Sequence, residues 1–225
     1  MSKNFLTPLA LTAGTTSNAP LLLQSGTNLT TAAAGAVEYD GKVIYSTPAG
    51  RGVSPSLMTY RLNSDLAGAN STASQSIFGV GVTLAASTVY AFETYLLIRR
   101  TAGTTSHTIG ILYGGTATNN NISYFVTSFR DSTAGASGAS GTFAVAAGWN
   151  TTTGNVVLTG SNTSSNSTFT AITRGTISIN AGGTFIPQYQ LSAPPGGAYS
   201  TLAGSYISIW PIGTAGSNTS VGPWV

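Results

Sequence analysis

The chain has 225 residues, of which 41% are hydrophobic and only 6% are charged. An average soluble domain has about 25% charged residues, so serine, threonine, asparagine and glycine supply most of the polarity here. This hydrophobic content argues against a disordered chain. No apolar run approaches the roughly 20 residues of a membrane-spanning helix, so we expect no membrane insertion.

The charges are few and scattered. Eight basic and five acidic residues give a net charge of +3, and only Arg99 and Arg100 are adjacent basic residues. Neighbouring residues on a strand point to opposite faces, and nucleic-acid binding needs a clustered basic footprint. We therefore expect no nucleic-acid partner. A surface with little charge has little self-repulsion, which favours a protein that works inside a fixed assembly.

Residues 1–54 are predicted to form an extended N-terminal arm that carries a short hairpin. Short apolar clusters, the strongest at residues 21–23, stand among small polar residues without a helical period. Asp40-Gly41 predicts a hairpin turn between arms at 37–39 and 43–45, because glycine adopts a positive φ without steric cost. Such an arm would lie against a partner subunit or a socket in an assembly.

From residue 55 onward the pattern predicts strand after strand, with no helical period. The predicted strands cover residues 57–62, 77–84, 88–98, 107–113, 122–129, 142–147, 156–159, 169–173, 176–192 with a bend at Gly182-Gly183, and 205–212. Residues 131–141 and 161–168 are predicted as a loop and a polar tip. Many short strands are typical of a sandwich, jelly roll or barrel. We predict an antiparallel, jelly-roll-like sandwich over residues 55–225.

Two of these strands are apolar on both faces. In residues 88–98 and 205–212, large apolar side chains occupy odd and even positions alike. One sandwich buries a single face of each strand, so a second cover is needed, and another copy of the chain is the simplest candidate. The sequence therefore predicts a homo-oligomer, and we expect a trimer.

Two segments resemble known families. Residues 11–41, with Gly35-Ala36-Val37-Glu38-Tyr39-Asp40-Gly41 at their end, are similar to a module of structural and tail-fibre-like proteins of tailed bacteriophages. Residues 183–209 resemble the final strands of trimeric jelly rolls of the complement C1q and tumour-necrosis-factor type. The chain continues past that last strand, into residues 211–225. The resemblances imply a phage structural protein with a trimeric C-terminal domain.

Residues able to perform acid–base chemistry are scarce. A Ser–His–acid triad would have to use His107, the one histidine, which we interpret as a surface or interface residue making a hydrogen bond. Glu38 and Asp40 resemble the paired carboxylates of a polysaccharide-degrading tailspike. The simpler interpretation is that Asp40 shapes the turn and that Glu38 forms an ion pair with a nearby lysine or arginine such as Lys42. We therefore predict no enzyme and no catalytic residue.

Glu93 lies inside an apolar strand, where a buried charge needs a partner. We expect a structural ion pair with an arginine, the candidates being Arg61, Arg99 and Arg174. Because there is no cysteine and the acids are scattered, we expect no metal and no cofactor.

Aromatic rings in loops can contact sugars. Trp149 and Asn150 are the candidate contacts for a host glycan, although a ring packed at the base of a loop explains Trp149 as well.

Together these observations predict a virion protein, assembled in the host cytoplasm. We expect a homotrimeric surface appendage, namely a short tail fibre, spike tip or head fibre, anchored by its N-terminal arm to other virion proteins and contacting the host surface. One alternative is a capsid decoration or cement protein without receptor contact. Alternatives of another class are a polysaccharide-degrading tailspike and a free lectin.

Overall fold

The computed structural model describes residues 11–48, 50–54, 56–131, 143–158, 163, 165–216, 218–222 and 224. These residues form strands and connecting segments. The strands are β1 Val37–Tyr39, β2 Ile44–Ser46, β3 Gly52–Ser54, β4 Met58–Arg61, β5 Leu66–Ala67, β6 Gln75–Ser76, β7 Val82–Leu84, β8 Thr88–Arg100, β9 Ile109–Gly114, β10 Asn119–Asp131, β11 Phe143–Asn150, β12 Val156–Val157, β13 Ser167–Ile179, β14 Gly183–Leu191, β15 Ser200–Thr201 and β16 Tyr206–Thr214. None of the described residues belongs to a helix that is long and apolar enough to cross a membrane.

The larger sheet is built on three strands of 13 residues each, β8, β10 and β13. It runs in the order β11-β10-β13-β8, and the far edge of β8 is shared by β16 and β15, which continue to β4 and β5. All of these pairs are antiparallel. The alternation of inward apolar residues with outward residues along each strand gives this sheet one face toward the core.

The smaller sheet packs against that face and completes the sandwich. Its order is β12-β9-β14-β6, with β7 also pairing with β14. Aromatic rings fill the space between the sheets: Tyr113 stacks on Phe185 at 4.8 Å between ring centroids, and Phe92 meets Tyr113 edge-on at 5.1 Å. Such geometries add to the burial energy of the rings, so this cluster holds the two sheets together.

A separate three-stranded sheet, β1-β2-β3, precedes the sandwich. Its first turn contains Gly41, which has a φ of 92° that favours glycine. Lys42 Nζ donates to the Ser87 carbonyl at 3.2 Å, which ties this turn to the sandwich. The predicted hairpin is confirmed within one residue at each arm, whereas the division of the chain at residues 54 and 55 stays a prediction.

The predicted fold class is confirmed: the protein is an all-β, jelly-roll-like sandwich of antiparallel sheets. Two strand assignments were wrong. Of the predicted strand at 77–84, residues 77–81 form a bend between β6 and β7, and only Val82–Leu84 is a strand, since Gly79 has a φ of 71° that interrupts an extended chain. Residues 169–173 and 176–179 are one strand, β13. Of the predicted loop at 131–141, residues 132–141 lie outside the described residues. Of the predicted tip at 161–168, residues 161, 162 and 164 lie outside them, while Ser167 and Thr168 already belong to β13.

Candidate interaction surface

The outer face of the larger sheet carries a group of large apolar side chains among threonines, serines and a few charged residues. Along β8, residues with even numbers are buried in the sandwich, while Val89, Ala91, Glu93, Tyr95 and Leu97 point outward and are half-buried. The same alternation continues on β13 and β16. The second apolar face that the sequence shows on residues 88–98 and 205–212 is therefore the outside of the sandwich, and the described chain covers it only partly.

We call this surface the aromatic face. Its large side chains are Tyr95, Leu97, Phe125, Phe129, Trp149, Ile172, Tyr206 and Trp210, placed by strand register and burial. Three of them are strongly exposed: Trp149 by 73%, Phe125 by 48% and Phe129 by 40%. Contiguous exposed apolar surface of this kind marks an interaction site more often than scattered single residues do.

One ion pair lies in the middle of the aromatic face. Arg174 Nε donates to Glu93 Oε2 at 2.7 Å, and the Tyr206 hydroxyl donates to Glu93 Oε1 at 3.3 Å. Tyr206 also stacks on Tyr95 at 5.9 Å. Burial, followed by the neighbouring Glu93 carboxylate, raises the pKa of Tyr206, so the phenol remains a hydrogen-bond donor at neutral pH.

Strand register places this pair in a row that crosses six strands. The row contains Trp149, Phe125, Arg174, Glu93, Ser208 and Thr59, each opposite the next. Residues directly opposite on antiparallel strands have Cβ atoms about 4.5–5.5 Å apart. Aromatic rings thus occupy one end of the row, the ion pair its middle and two hydroxyls its other end.

Only part of the aromatic face could be predicted from the sequence pattern. Tyr95 and Leu97 followed from the two-faced pattern of residues 88–98, whereas Phe125, Phe129 and Ile172 were not singled out. The available signal was the same: Phe125 and Phe129 alternate with the buried Ile122, Tyr124 and Val126. Counting apolar residues on both faces of every predicted strand would have found them.

Trp149 and Asn150 lie on opposite faces of β11. Trp149 joins the aromatic face, opposite Phe125. The Asn150 amide orders the turn that follows: Oδ1 accepts from the Thr152 backbone N–H at 2.9 Å, and Nδ2 donates to the Gly154 carbonyl at 3.1 Å. Trp149 is therefore exposed on a strand and not in a loop as expected, whereas the Asn150 amide is engaged by the turn that follows.

His107 is buried, with only 2% of its surface exposed. Its Nδ1 lies 2.8 Å from the Thr105 carbonyl and its Nε2 2.8 Å from the Tyr199 hydroxyl. A carbonyl can only accept, so Nδ1 carries a proton, and a neutral ring accepts the Tyr199 hydroxyl at Nε2. The expected hydrogen bonding is confirmed, but the expected surface or interface position is wrong, because Tyr199 packs over the ring from 92 residues away.

The partner of Glu93 is Arg174, one of the three predicted candidates. The expectation that this charge is buried was wrong for the single chain, since the Glu93 side chain is 30% exposed. It points to the aromatic face and away from the core. Its burial therefore depends on what covers that face.

Glu38 pairs with Arg51 at 2.9 Å, which confirms the expected ion pair with a nearby lysine or arginine, although the partner is not Lys42, the example that the sequence offered. Its Oε1 also accepts from the Leu29 backbone N–H at 2.6 Å. That backbone hydrogen bond is the main cause that lowers the pKa of Glu38, and the Arg51 guanidinium adds to it against the opposing effect of burial. Glu38 thus holds the end of the arm against β1.

Asp40 shapes its turn as predicted. Its Oδ1 accepts from the backbone N–H groups of Lys42 at 2.8 Å and Val43 at 2.7 Å, and its Oδ2 accepts from the Tyr45 hydroxyl at 2.9 Å. Burial alone would raise the pKa of Asp40, but these hydrogen bonds outweigh it and lower the pKa. Glu38 and Asp40 consequently serve separate structural contacts. Among the described residues, no three histidine, cysteine or acidic side chains cluster in a way that would hold a metal ion.

Comparisons of the chain with protein-family models, with curated proteins and with solved structures found no match.

Proposed function

We propose that this chain is a structural protein of a bacteriophage particle and forms a homotrimeric surface appendage, namely a short tail fibre, spike tip or head fibre. The observation that carries the proposal is the aromatic face, a broad apolar surface on the outside of a folded sandwich. Exposed apolar area is stabilised when a partner covers it, by about 25 cal/mol per Å². A second copy of the chain is the partner that is always present at the same concentration.

The exposed rings supply part of the area that a subunit interface needs. A phenylalanine buries about 150–250 Å², so the exposed fractions of Phe125 and Phe129 amount to about 180 Å². A stable interface buries about 800 Å² on each partner. These two rings thus supply about a fifth of that area before the half-buried Tyr95, Ile172 and Tyr206 are included.

The few charges fit permanent assembly. The ion pair of the face, Arg174 with Glu93, is already formed within the chain, so covering these two groups leaves neither of them unpaired, the costly case for burial. Arg61 and Arg99 lie on the same face and are exposed, so the proposed interface leaves both at its rim. The exposed N-terminal arm is the proposed attachment to other virion proteins, and Trp149 is the proposed contact with a host glycan.

Labelling of particles tests the proposal. Gold-labelled antibodies against the purified protein should bind, at regular positions, to intact particles of the phage that encodes it. Sedimentation of the purified protein should give three times the mass of one chain. A stable monomer that no purified particle contains would overturn the proposal, whereas label on the head without host binding would favour a capsid decoration protein.

Two alternative functions, a free lectin and a tailspike enzyme, can be distinguished from this proposal by experiment. Soluble trimers that bind glycans and occur in no particle would indicate a free lectin. Loss of host-polysaccharide cleavage with intact trimers, on replacing Glu38, Asp40, Glu93 or His107, would establish a tailspike enzyme.

A further inference from the structure

An apolar groove opens at one edge of the sandwich. Met58 and Tyr60 of β4 reach it from the larger sheet, while Phe78, Val80 and Val82 reach it from the bend and strand at the edge of the smaller one. Ile207, Ile209 and Pro187 form its floor, and the cavity measures about 210 Å³. Tyr60 meets Phe78 edge-on at 6.0 Å, yet Tyr60 is 42% exposed and Val80 44%.

The groove is bordered by strand edges that the described chain leaves available. β4 pairs with β16 on one side, and β7 pairs with β14 on one side. An edge strand presents a row of backbone N–H and C=O groups that an extended peptide can pair with. Side chains of such a peptide alternate, so one residue in two would point into the groove.

The N-terminal arm has the chemistry of such a peptide. Residues 11–25 lie in an extended, exposed stretch, and their described backbone hydrogen bonds among themselves are confined to a local turn in which Thr15 N–H donates to the Asn18 carbonyl. Contact with β1 begins at Gly26, whose N–H donates to the Tyr39 carbonyl at 2.9 Å. Leu21 is 63% exposed and Leu22 72%.

We propose that Leu22 of one copy seats in the apolar groove of a second copy, with the arm pairing along β4 and the neighbouring Leu21 on the opposite face of the paired arm. Residues 11–34 contain no charged residue, and neither does the groove lining. Burial of the arm in the groove would therefore leave no charge without solvent. The arm and the groove would each cover apolar surface that is exposed on the other. In its own chain the arm leaves both leucines in solvent and the groove open, which is why the occupant is a second copy.

The tether restricts where that copy sits. Leu22 lies four residues before Gly26, and an extended chain spans at most about 3.3–3.6 Å per residue, so Leu22 stays within about 14 Å of the three-stranded sheet. The neighbour's groove must then lie beside that sheet. Residues that precede Leu21 are left for attachment to the particle. This inference rests on the self-association proposed above and assigns a second contact to it.

Disulfide trapping tests the inference cleanly, because the chain has no cysteine of its own. The exposed positions Leu22→Cys and Val80→Cys would be carried on separate chains with different tags, coexpressed and oxidised. We expect a covalent product that contains both tags on a non-reducing gel. The matched control pairs Leu22→Cys with Val157→Cys, since Val157 is also exposed, by 53%, but lies at the opposite edge of the smaller sheet.

Placing both cysteines on one chain distinguishes the two sources of the arm. An arm from a second copy gives a ladder of covalent oligomers, whereas an arm that folds back gives a cross-linked monomer, which would overturn the inference. Equal trapping by the Val157→Cys control would overturn it as well. Trimers in sedimentation without the Leu22–Val80 cross-link would overturn this contact and leave the proposed function standing, while an uncross-linked monomer would count against both.

A polar variant gives a second measurement that needs no oxidation. Leu21→Asp with Leu22→Asp changes exposed residues, so the sandwich should keep its fold by circular dichroism. We expect at least tenfold weaker self-association, and unchanged association would contradict the proposal.

Discussion

The two sheets of this sandwich share one core but have different outer faces. On the smaller sheet, the outward residues of β14 include Thr184, Gln188 and Gln190, and Gln190 Nε2 donates to the Thr72 carbonyl at 3.2 Å. On the larger sheet, the outward residues include the large apolar side chains of the aromatic face. Both sheets bury aromatic rings inward, so the core does not explain the contrast.

The contrast lies in the residues that each sheet turns away from the core. The water-exposed face of an antiparallel sheet normally carries polar residues that alternate with the buried ones, as β14 does at Thr184, Gln188 and Gln190, with Ile186 as an exception. The outer face of the larger sheet departs from that pattern, because Trp149, Phe125 and Ile172 place apolar side chains at outward positions. The outward-pointing residues of each strand, which do not enter the core, therefore indicate the environment outside that part of the sheet.

A charge placed on each face should have opposite consequences. Ile172→Glu puts a carboxylate among Thr127 and Tyr95 on the aromatic face, where a covering subunit would leave it buried without a partner. We expect at least 100-fold weaker trimer formation in sedimentation, or about 2.7 kcal/mol. Gln188→Glu on the smaller sheet is the matched control and should stay trimeric. Equal behaviour of the two variants would remove the distinction between the faces.

The ion pair reports whether the aromatic face is covered. Arg174→Met leaves Glu93 without its partner, which costs little at an exposed site but several kcal/mol at a buried one. We expect 10- to 100-fold weaker trimer formation by sedimentation. In an Ile172→Glu monomer, the same change should alter the free energy of unfolding in urea by less than about 1 kcal/mol. An equally small effect in both backgrounds would indicate an open face.

Trp149 tests the edge of the aromatic face. It lies on β11, the terminal strand of the larger sheet, so Trp149→Ala should leave the trimer intact. We expect calorimetric binding to the host surface polysaccharide to weaken at least tenfold, about 1.4 kcal/mol, because a stacking ring is lost. Val157→Ala, an exposed apolar residue on the smaller sheet, should bind normally. Loss of the trimer instead would make Trp149 a subunit contact.

Acid should affect a region outside both faces. Glu38 and Asp40 have lowered pKa values in the folded protein, so their contribution to stability is present above the ordinary carboxyl pKa and is lost as pH falls through the folded values. We expect faster hydrogen exchange over residues 26–46 below about pH 4, with the sandwich unchanged. Glu38→Gln should reduce the rise in hydrogen exchange on acidification. Faster exchange that begins in β8 or β13 instead would contradict this prediction.

Much of the fold could be predicted because local alternation sets it. The strands at 88–98 and 205–212 follow from the period of their side chains. The side chains of the adjacent Arg99 and Arg100 lie on opposite faces as expected, the first exposed and the second fully buried. The bend at Gly79 was missed, because the surrounding apolar residues alone suggest a continuous strand. The sequence does not mark which glycine takes a positive φ.

The parts of the surface that depend on strand order could not be predicted. Glu93 had three candidate arginines, and Arg174 is its partner because β13 lies beside β8 in register. His107 is buried because Tyr199 arrives from a distant segment. The groove likewise joins residues near 58, 80 and 208, which no local pattern connects. Long-range pairing decides these features, and one sequence holds no direct record of it.

The 13-residue length of β8 has a mechanical consequence. It is joined to β13 through 12 residue pairs on one side and to β16 on the other, with hydrogen bonds perpendicular to the strands. A pull along β8 loads those bonds together, whereas a pull across the sheet would break them one after another. An appendage oriented with β8 along its axis would resist drag in its strongest direction, which force spectroscopy in the two pulling geometries can compare.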